Sequence, residues 1–290
     1  MSKKGLSRRQ FITGAAVTVA ATTVPVLSNV ATAEAAGAAM PALVRGDAAW
    51  VALDPKALAR QAYEIYKGVH TSQSACCEAT FWPIVGALGA LYPTTWGLFP
   101  KGVFNYGGGG INSWRSICGC TNAGSAVLKL ALNNGPAIDE YLAWYEKTAL
   151  PTSATYDDYL SGTWTPGGSA TGWGTGAKPL PIPASESPAS KAGSVLCHAS
   201  LTNWRIAGGA WEQTHAGSQS DRCGKLCYDC VYKLATIVNA YMAGTNFVGA
   251  LDASVATCGE GTGSACHGTT SGVYGNPLAQ GKMKCTSCHE

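Results

Sequence analysis

The chain has 290 residues, 13% of them charged, with 36 glycines, 12 cysteines and a formal net charge of +3. So small a net charge excludes the clustered basic face that nucleic-acid binding requires. So few charged groups beside so many cysteines mean that the fold is organised by something more than apolar burial.

At the N-terminus, Ser7-Arg8-Arg9-Gln10-Phe11 precedes an uncharged run to about Val30 and the small residues Ala31-Thr32-Ala33. This is the pattern of a twin-arginine export signal over residues 1–33, with a cleavage site following. The run is rich in Ala and Thr and broken by Pro25, so it is a poor membrane span, and no later segment is long and apolar enough to be one. Cleavage removes Lys3, Lys4, Arg8 and Arg9 and leaves 16 basic against 17 acidic side chains. The expected product is a nearly neutral, soluble protein of the periplasm.

Residues 34–243 read as a mainly α, cysteine-rich domain. Asp54 followed by Pro55 predicts an N-cap and first helical position for a helix running towards Lys67. The apolar run Cys76 to Leu91 predicts a second helix, ended or kinked by Pro83. Further helices are expected over Cys118 to Leu132, opened by Gly119, and over Ala137 to Leu150. Between Pro151 and Lys191 the Thr-, Ser-, Gly- and Pro-rich sequence has no periodicity and predicts a long irregular insertion. Helix resumes over Cys197 to Ile206. The strongest pattern runs from Asp221 to Met242, where Cys223, Leu226, Cys227, Cys230, Val231, Leu234, Ile237, Val238 and Tyr241 form one stripe. No internal repeat is present, and Trp82, Trp96, Trp114, Trp204 and Trp211 read as core and interface bulk.

Residues 244–290 are glycine-rich and predict a segment ordered by what it wraps. It ends in Cys285-Thr286-Ser287-Cys288-His289, the C-x-x-C-H attachment sequence of a c-type haem. Cys285 and Cys288 would form the thioethers and His289 the proximal iron ligand. Upstream, Cys258 and Cys266-His267 give C-x7-C-H, whose glycine-rich interior can loop out while its thiols meet a second haem; the alternative is a disulfide beside a histidine. The remaining cysteines fall at helix starts or on a buried helical stripe, whereas disulfide staples usually tie loops. Twin-arginine transport carries folded proteins, while haem c is attached after translocation. That route therefore predicts a cofactor inserted earlier, and an iron–sulfur cluster on four thiolates fits.

Four further motifs, Cys76-Cys77-Glu78-Ala79, Ile117-Cys118-Gly119-Cys120-Thr121-Asn122-Ala123-Gly124, Leu196-Cys197-His198-Ala199-Ser200 and Arg222-Cys223-Gly224-Lys225-Leu226, carry a resemblance. The chain resembles the redox-active family named for its C, GCAxxG, C, C cysteine order. With an export signal in front and a haem tail behind, it is similar to the split-Soret cytochrome c family of sulfate-reducing bacteria. The resemblance implies a mainly helical homodimer with two bis-histidine haems per chain, the four haems gathered at one end, and an iron–sulfur centre. It places the cluster ligands at Cys76, Cys118, Cys197 and Cys223. Thr121 stands where the family has Ala, and Cys120 aligns as an alternate to Cys118. Cys77, Cys227 and Cys230 receive no role.

Two bis-histidine haems need four imidazoles, and the chain has five. With His267 and His289 proximal, the distal ligands are expected from His198 and His70, with His215 as alternate. The expected function is a periplasmic electron carrier acting with periplasmic redox partners. A terminal reductase of the nitrite, nitrate or peroxide type, with one open haem site, is the alternative.

Overall fold

The computed structural model describes residues 41–68, 75–164, 166, 188–209, 218–249 and 282–283. Among them stand seven α-helices: α1 (Pro55–Tyr66), α2 (Cys76–Leu91), α3 (Gly119–Leu132), α4 (Gly135–Lys147), α5 (Ala154–Leu160), α6 (Cys197–Gly208) and α7 (Ser218–Met242). The only sheet among the described residues pairs β1 (Ala149–Leu150) antiparallel with β2 (Ser190–Lys191). The export signal predicted over residues 1–33 lies outside the described residues, and no described helix is long and apolar enough to cross a membrane.

The first helix starts where its chemistry dictates. Asp54 stays extended while its carboxylate accepts from Lys56 N at 3.0 Å and Ala57 N at 3.1 Å, with Pro55 supplying a preset φ behind it. Asn134 caps α4 in the same way, accepting from Ala137 N at 2.8 Å.

Helix α7 is the axis of the fold, packed against α1, α2, α3 and α4. Leu226, Cys227, Cys230, Val231, Leu234, Ala235, Ile237 and Val238 are buried along it. Burial extends beyond one stripe, and the polar groups taken inside are paired: Lys225 Nζ lies 2.8 Å from Asp221 Oδ2, and Asp229 accepts from Thr152 N and Oγ1 at 2.7 Å each. Trp96 and Trp204 are core residues as expected, but Trp114 is 82% exposed.

Two boundaries differ from the sequence expectation. Helix α2 runs through Pro83 without ending there. A proline inside a helix costs about 3 kcal/mol, but Phe81, Ile84, Val85 and Leu88 around it are fully buried, each contributing roughly 1.5–3 kcal/mol. Helix α4 stops at Lys147 rather than Leu150. Pro151 disfavours helical backbone at the residue before it, and Ala149 and Leu150 pair with Lys191 and Ser190 instead.

The stretch predicted as irregular contains α5, a helix without apolar periodicity. It is held from outside: Asp158 accepts from Arg60 Nε and Nη2 at 2.7 Å each and from Tyr228 at 3.0 Å, and lies 2.8 Å from Lys56. Residues 167–187 of that stretch lie outside the described residues.

Candidate metal centre

Three helices aim their N-termini at one cavity. Cys76 is the first residue of α2, Cys118 the N-cap of α3 and Cys197 the first residue of α6. Unlike α1 and α4, none of these three has a side-chain cap hydrogen bond. Their uncapped positive ends favour thiolate or an anionic group there. The fourth thiol, Cys223, comes from the second turn of α7.

All four of these cysteines line a cavity of about 230 Å³, shared with Tyr66, Arg115 and Arg222. A short antiparallel bridge, Ile117 to Leu196, sets two of them side by side: Cys118 N donates to Val195 O at 2.9 Å and Cys197 N to Ser116 O at 2.6 Å. Glycine permits the close approach on the other side. A Cβ at Gly119 would lie 2.7 Å from Cys77 N and 2.8 Å from Cys76 Cβ, so any larger residue would force α2 and α3 apart at the cavity.

The roof is the loop from Tyr92 to Ile117, which folds through three 3-10 turns. Glu78 on α2 anchors it by accepting from Gly102 N at 2.9 Å and Phe104 N at 3.2 Å. Asn112, Ser113 and Arg115 all have positive φ. Non-glycine residues persist in that region only where surrounding contacts hold them, and here the result is to bring Ser113 and Arg115 to the cavity wall.

The electrostatics set Cys76 apart from the other thiols. Cys76 is held below the ordinary thiol value by hydrogen bonds from Cys223 and Cys227. Cys118 is pushed up by its hydrogen bond with Cys120 and by burial, and Cys223 by its hydrogen bond with Cys76. Burial pushes Cys197 up to about 11 against the pull of Arg115. Loading a metal here therefore displaces protons. No disulfide joins the eight described cysteines. Among the described residues no three ligating side chains stand ready around a single metal ion, as expected when thiols are spread around a space of this volume; a single ion would need sulfur atoms converging to about 2.3 Å.

Sequence reasoning missed Arg115 and Arg222. The available signal was Arg222 next to Cys223 at the start of a buried stripe, in a chain with few charges. Its guanidinium donates to Ser200 Oγ and reaches Cys223 Sγ at 3.8 Å, and Tyr145 also donates to Ser200 Oγ at 3.0 Å. The buried Arg222 Nε has no hydrogen-bond partner among the described residues, a donor that an anionic group in the cavity would satisfy.

Cys120 lies behind the cavity rather than on its wall, 3.7 Å from Cys227. His198, beside Cys197, is exposed, with Nδ1 3.2 Å from Arg115 O. His70, His215, His267 and His289, and the attachment thiols Cys258, Cys266, Cys285 and Cys288, lie outside the described residues.

Four cysteines lining one cavity, three of them at helix starts, in a chain whose tail carries a haem-attachment sequence, point to an electron-transfer protein of the cytochrome c class. The sequence is 34% identical to the split-Soret cytochrome c of Desulfovibrio desulfuricans (strain ATCC 27774 / DSM 6949 / MB) over 272 residues, 89% of this chain and 85% of the relative. The solved structure of the split-Soret cytochrome c from Desulfovibrio desulfuricans ATCC 27774, described as holding a novel iron centre, matches with a TM-score of 0.60 at 29% identity, covering 88% of this chain and 92% of that one. No family model matches the chain. The chain belongs to the split-Soret cytochrome c family.

Proposed function

We propose that this cytochrome is a periplasmic carrier with two bis-histidine c-type haems per chain and an iron–sulfur centre, exported by the twin-arginine route and working as a homodimer with periplasmic redox partners. The observation that carries the iron–sulfur part is the meeting of Cys76, Cys118, Cys197 and Cys223 on one cavity walled by Arg115 and Arg222. When bound, such a centre and the haems supply one-electron reduction and oxidation without bond making.

The chain's own residues hold the centre and tune it. Four thiolates against one cluster leave excess negative charge, which Arg115, Arg222 and the ends of α2, α3 and α6 offset. Tyr145, Ser200 and Arg222 form a hydrogen-bonded row that fixes the guanidinium beside Cys223.

Two features support a haem close by. Lys282 Nζ lies 2.7 Å from Asp139 and Met283 Sδ accepts from Ser194 Oγ at 3.1 Å. The attachment sequence begins two residues after Met283, and Ser194 is three residues before Cys197. His198 is suited to iron: a backbone carbonyl only accepts, so Nδ1 carries the proton and Nε2 keeps its lone pair on an exposed ring. Cys285 and Cys288 with His289, and Cys258 and Cys266 with His267, are assigned as the attachment and proximal residues, and His198 and His70, with His215 alternate, as the distal ones.

A pyridine haemochrome assay on the purified protein, with carbon monoxide added to the reduced form, tests this reading. Two haems per chain and no carbon monoxide adduct are expected. One haem, or an adduct, would move the assignment to a reductase with an open iron site.

A further inference from the structure

Cys120, Cys227 and Cys230 are fully buried and line no part of the thiol cavity. Cys120 projects from the first turn of α3 and Cys227 from the middle of α7, two helices packed together, and their Sγ atoms are 3.7 Å apart. We propose that Cys120 and Cys227 are a redox-active dithiol, a two-electron store set directly behind the one-electron centre.

The two sulfurs are already in van der Waals contact. A disulfide needs about 2.05 Å between them, so side-chain torsions must close about 1.6 Å. Cys227 is the better partner for Cys120 because it also faces the cavity wall: its Sγ lies 3.8 Å from Cys76 O, and the Cys76 side chain lines the cavity. Cys120 is fixed from the other side, its carbonyl accepting from the Tyr141 hydroxyl at 2.9 Å.

Full burial excludes thiol–disulfide exchange with a soluble partner, which requires direct attack at sulfur. Electrons can leave only through the protein. In the oxidative direction the S–H bonds of Cys120 and Cys227 break, one S–S bond forms and two protons pass to solvent along the cavity. Two electrons pass, one at a time by way of the Cys76 wall, to ferric haem iron of the same protein, reducing two equivalents to ferrous; the reverse restores both thiols. The proposal rests on the electron-transfer reading above.

The test uses the full haem-loaded protein, oxidised with ferricyanide or reduced with dithionite, then denatured in acid with an alkylating agent and mapped by peptide mass. The expected result is a cross-link between the Cys120 and Cys227 peptides in the oxidised sample only. In Cys227→Ser the link is absent, haem and non-haem iron are unchanged, and reductive titration consumes two fewer electrons per chain. Both thiols alkylated at either potential, a Cys120 peptide that is cross-linked to another cysteine to the same extent in Cys227→Ser, or loss of non-haem iron in that variant would overturn the proposal. A wild-type preparation without haem would instead remove the electron acceptor and defeat the electron-transfer reading with it.

Discussion

The guanidinium of Arg222 lies 3.8 Å from the sulfur of Cys223, buried and held in place by Ser200. A positive charge at that distance favours the form of a neighbouring redox centre that holds the extra electron. At an effective dielectric near 20, unit charges roughly 8 Å apart interact by about 2 kcal/mol. Arg222→Met should therefore lower the midpoint potential of the non-haem centre by tens of millivolts, while Arg222→Lys should lower it less. Redox titration followed by paramagnetic resonance checks this, and an unchanged potential in Arg222→Met would separate the arginine from the centre.

Gly124 makes room for the ring that braces Cys120. A Cβ there would collide with Tyr141 Cε1 and lie 2.5 Å from its Cζ. Gly124→Ala should lower unfolding free energy by about 1–3 kcal/mol, the usual range for an overpacked core. Urea unfolding of the variant against wild type measures it.

His198, the distal ligand proposed above, has its Nδ1 3.2 Å from Arg115 O. His198→Ala should convert one haem from six- to five-coordinate and create a carbon monoxide adduct absent from the wild type. Absorption spectra of the reduced variant with and without the gas decide it; an unchanged spectrum would leave His70 and His215 as the distal pair.

Two buried aspartates give acid dependence of opposite sign. Burial would raise the Asp158 carboxyl, but hydrogen bonds from Arg60, Lys56 and Tyr228 outweigh it and hold it down at about 2. Its contribution is present above about pH 4 and lost as pH falls towards about 2, an effect of about 2 kcal/mol. Asp229 is pushed up to about 6 by burial despite its bonds from Thr152. With the folded-state value raised, stability declines as pH rises from about 4 through 6, by up to about 3 kcal/mol. Asp158→Asn should flatten the acid limb and Asp229→Asn the upper one in urea unfolding at several pH values.

Much of the site was legible because its chemistry is local. The Asp54-Pro55 helix start, the stripe of α7 and the placing of cysteines at helix starts follow from short-range capping and period. Gly119 and Gly124 show why the Gly-Cys motif has its spacing: one glycine admits α2 and the other Tyr141. What the sequence hid depends on contacts between distant segments. The Ile117 to Leu196 bridge joins residues with no shared pattern, the loop above the cavity is shaped by positive φ angles and by Glu78, and α5 is held by Arg60 and Lys56 of α1. The different placement of Cys118 and Cys120 also appears only in three dimensions, Cys118 lying on the cavity wall and Cys120 behind it.

The most direct measurement is acid-labile sulfide and non-haem iron in the purified wild type and in Cys223→Ser, with haem counted in the same samples. Sulfide and non-haem iron present together in the wild type, and both lost in the variant at unchanged haem content, are predicted. Wild-type protein without sulfide, or a variant that keeps it in full, would contradict the thiol cavity as the seat of an iron–sulfur centre.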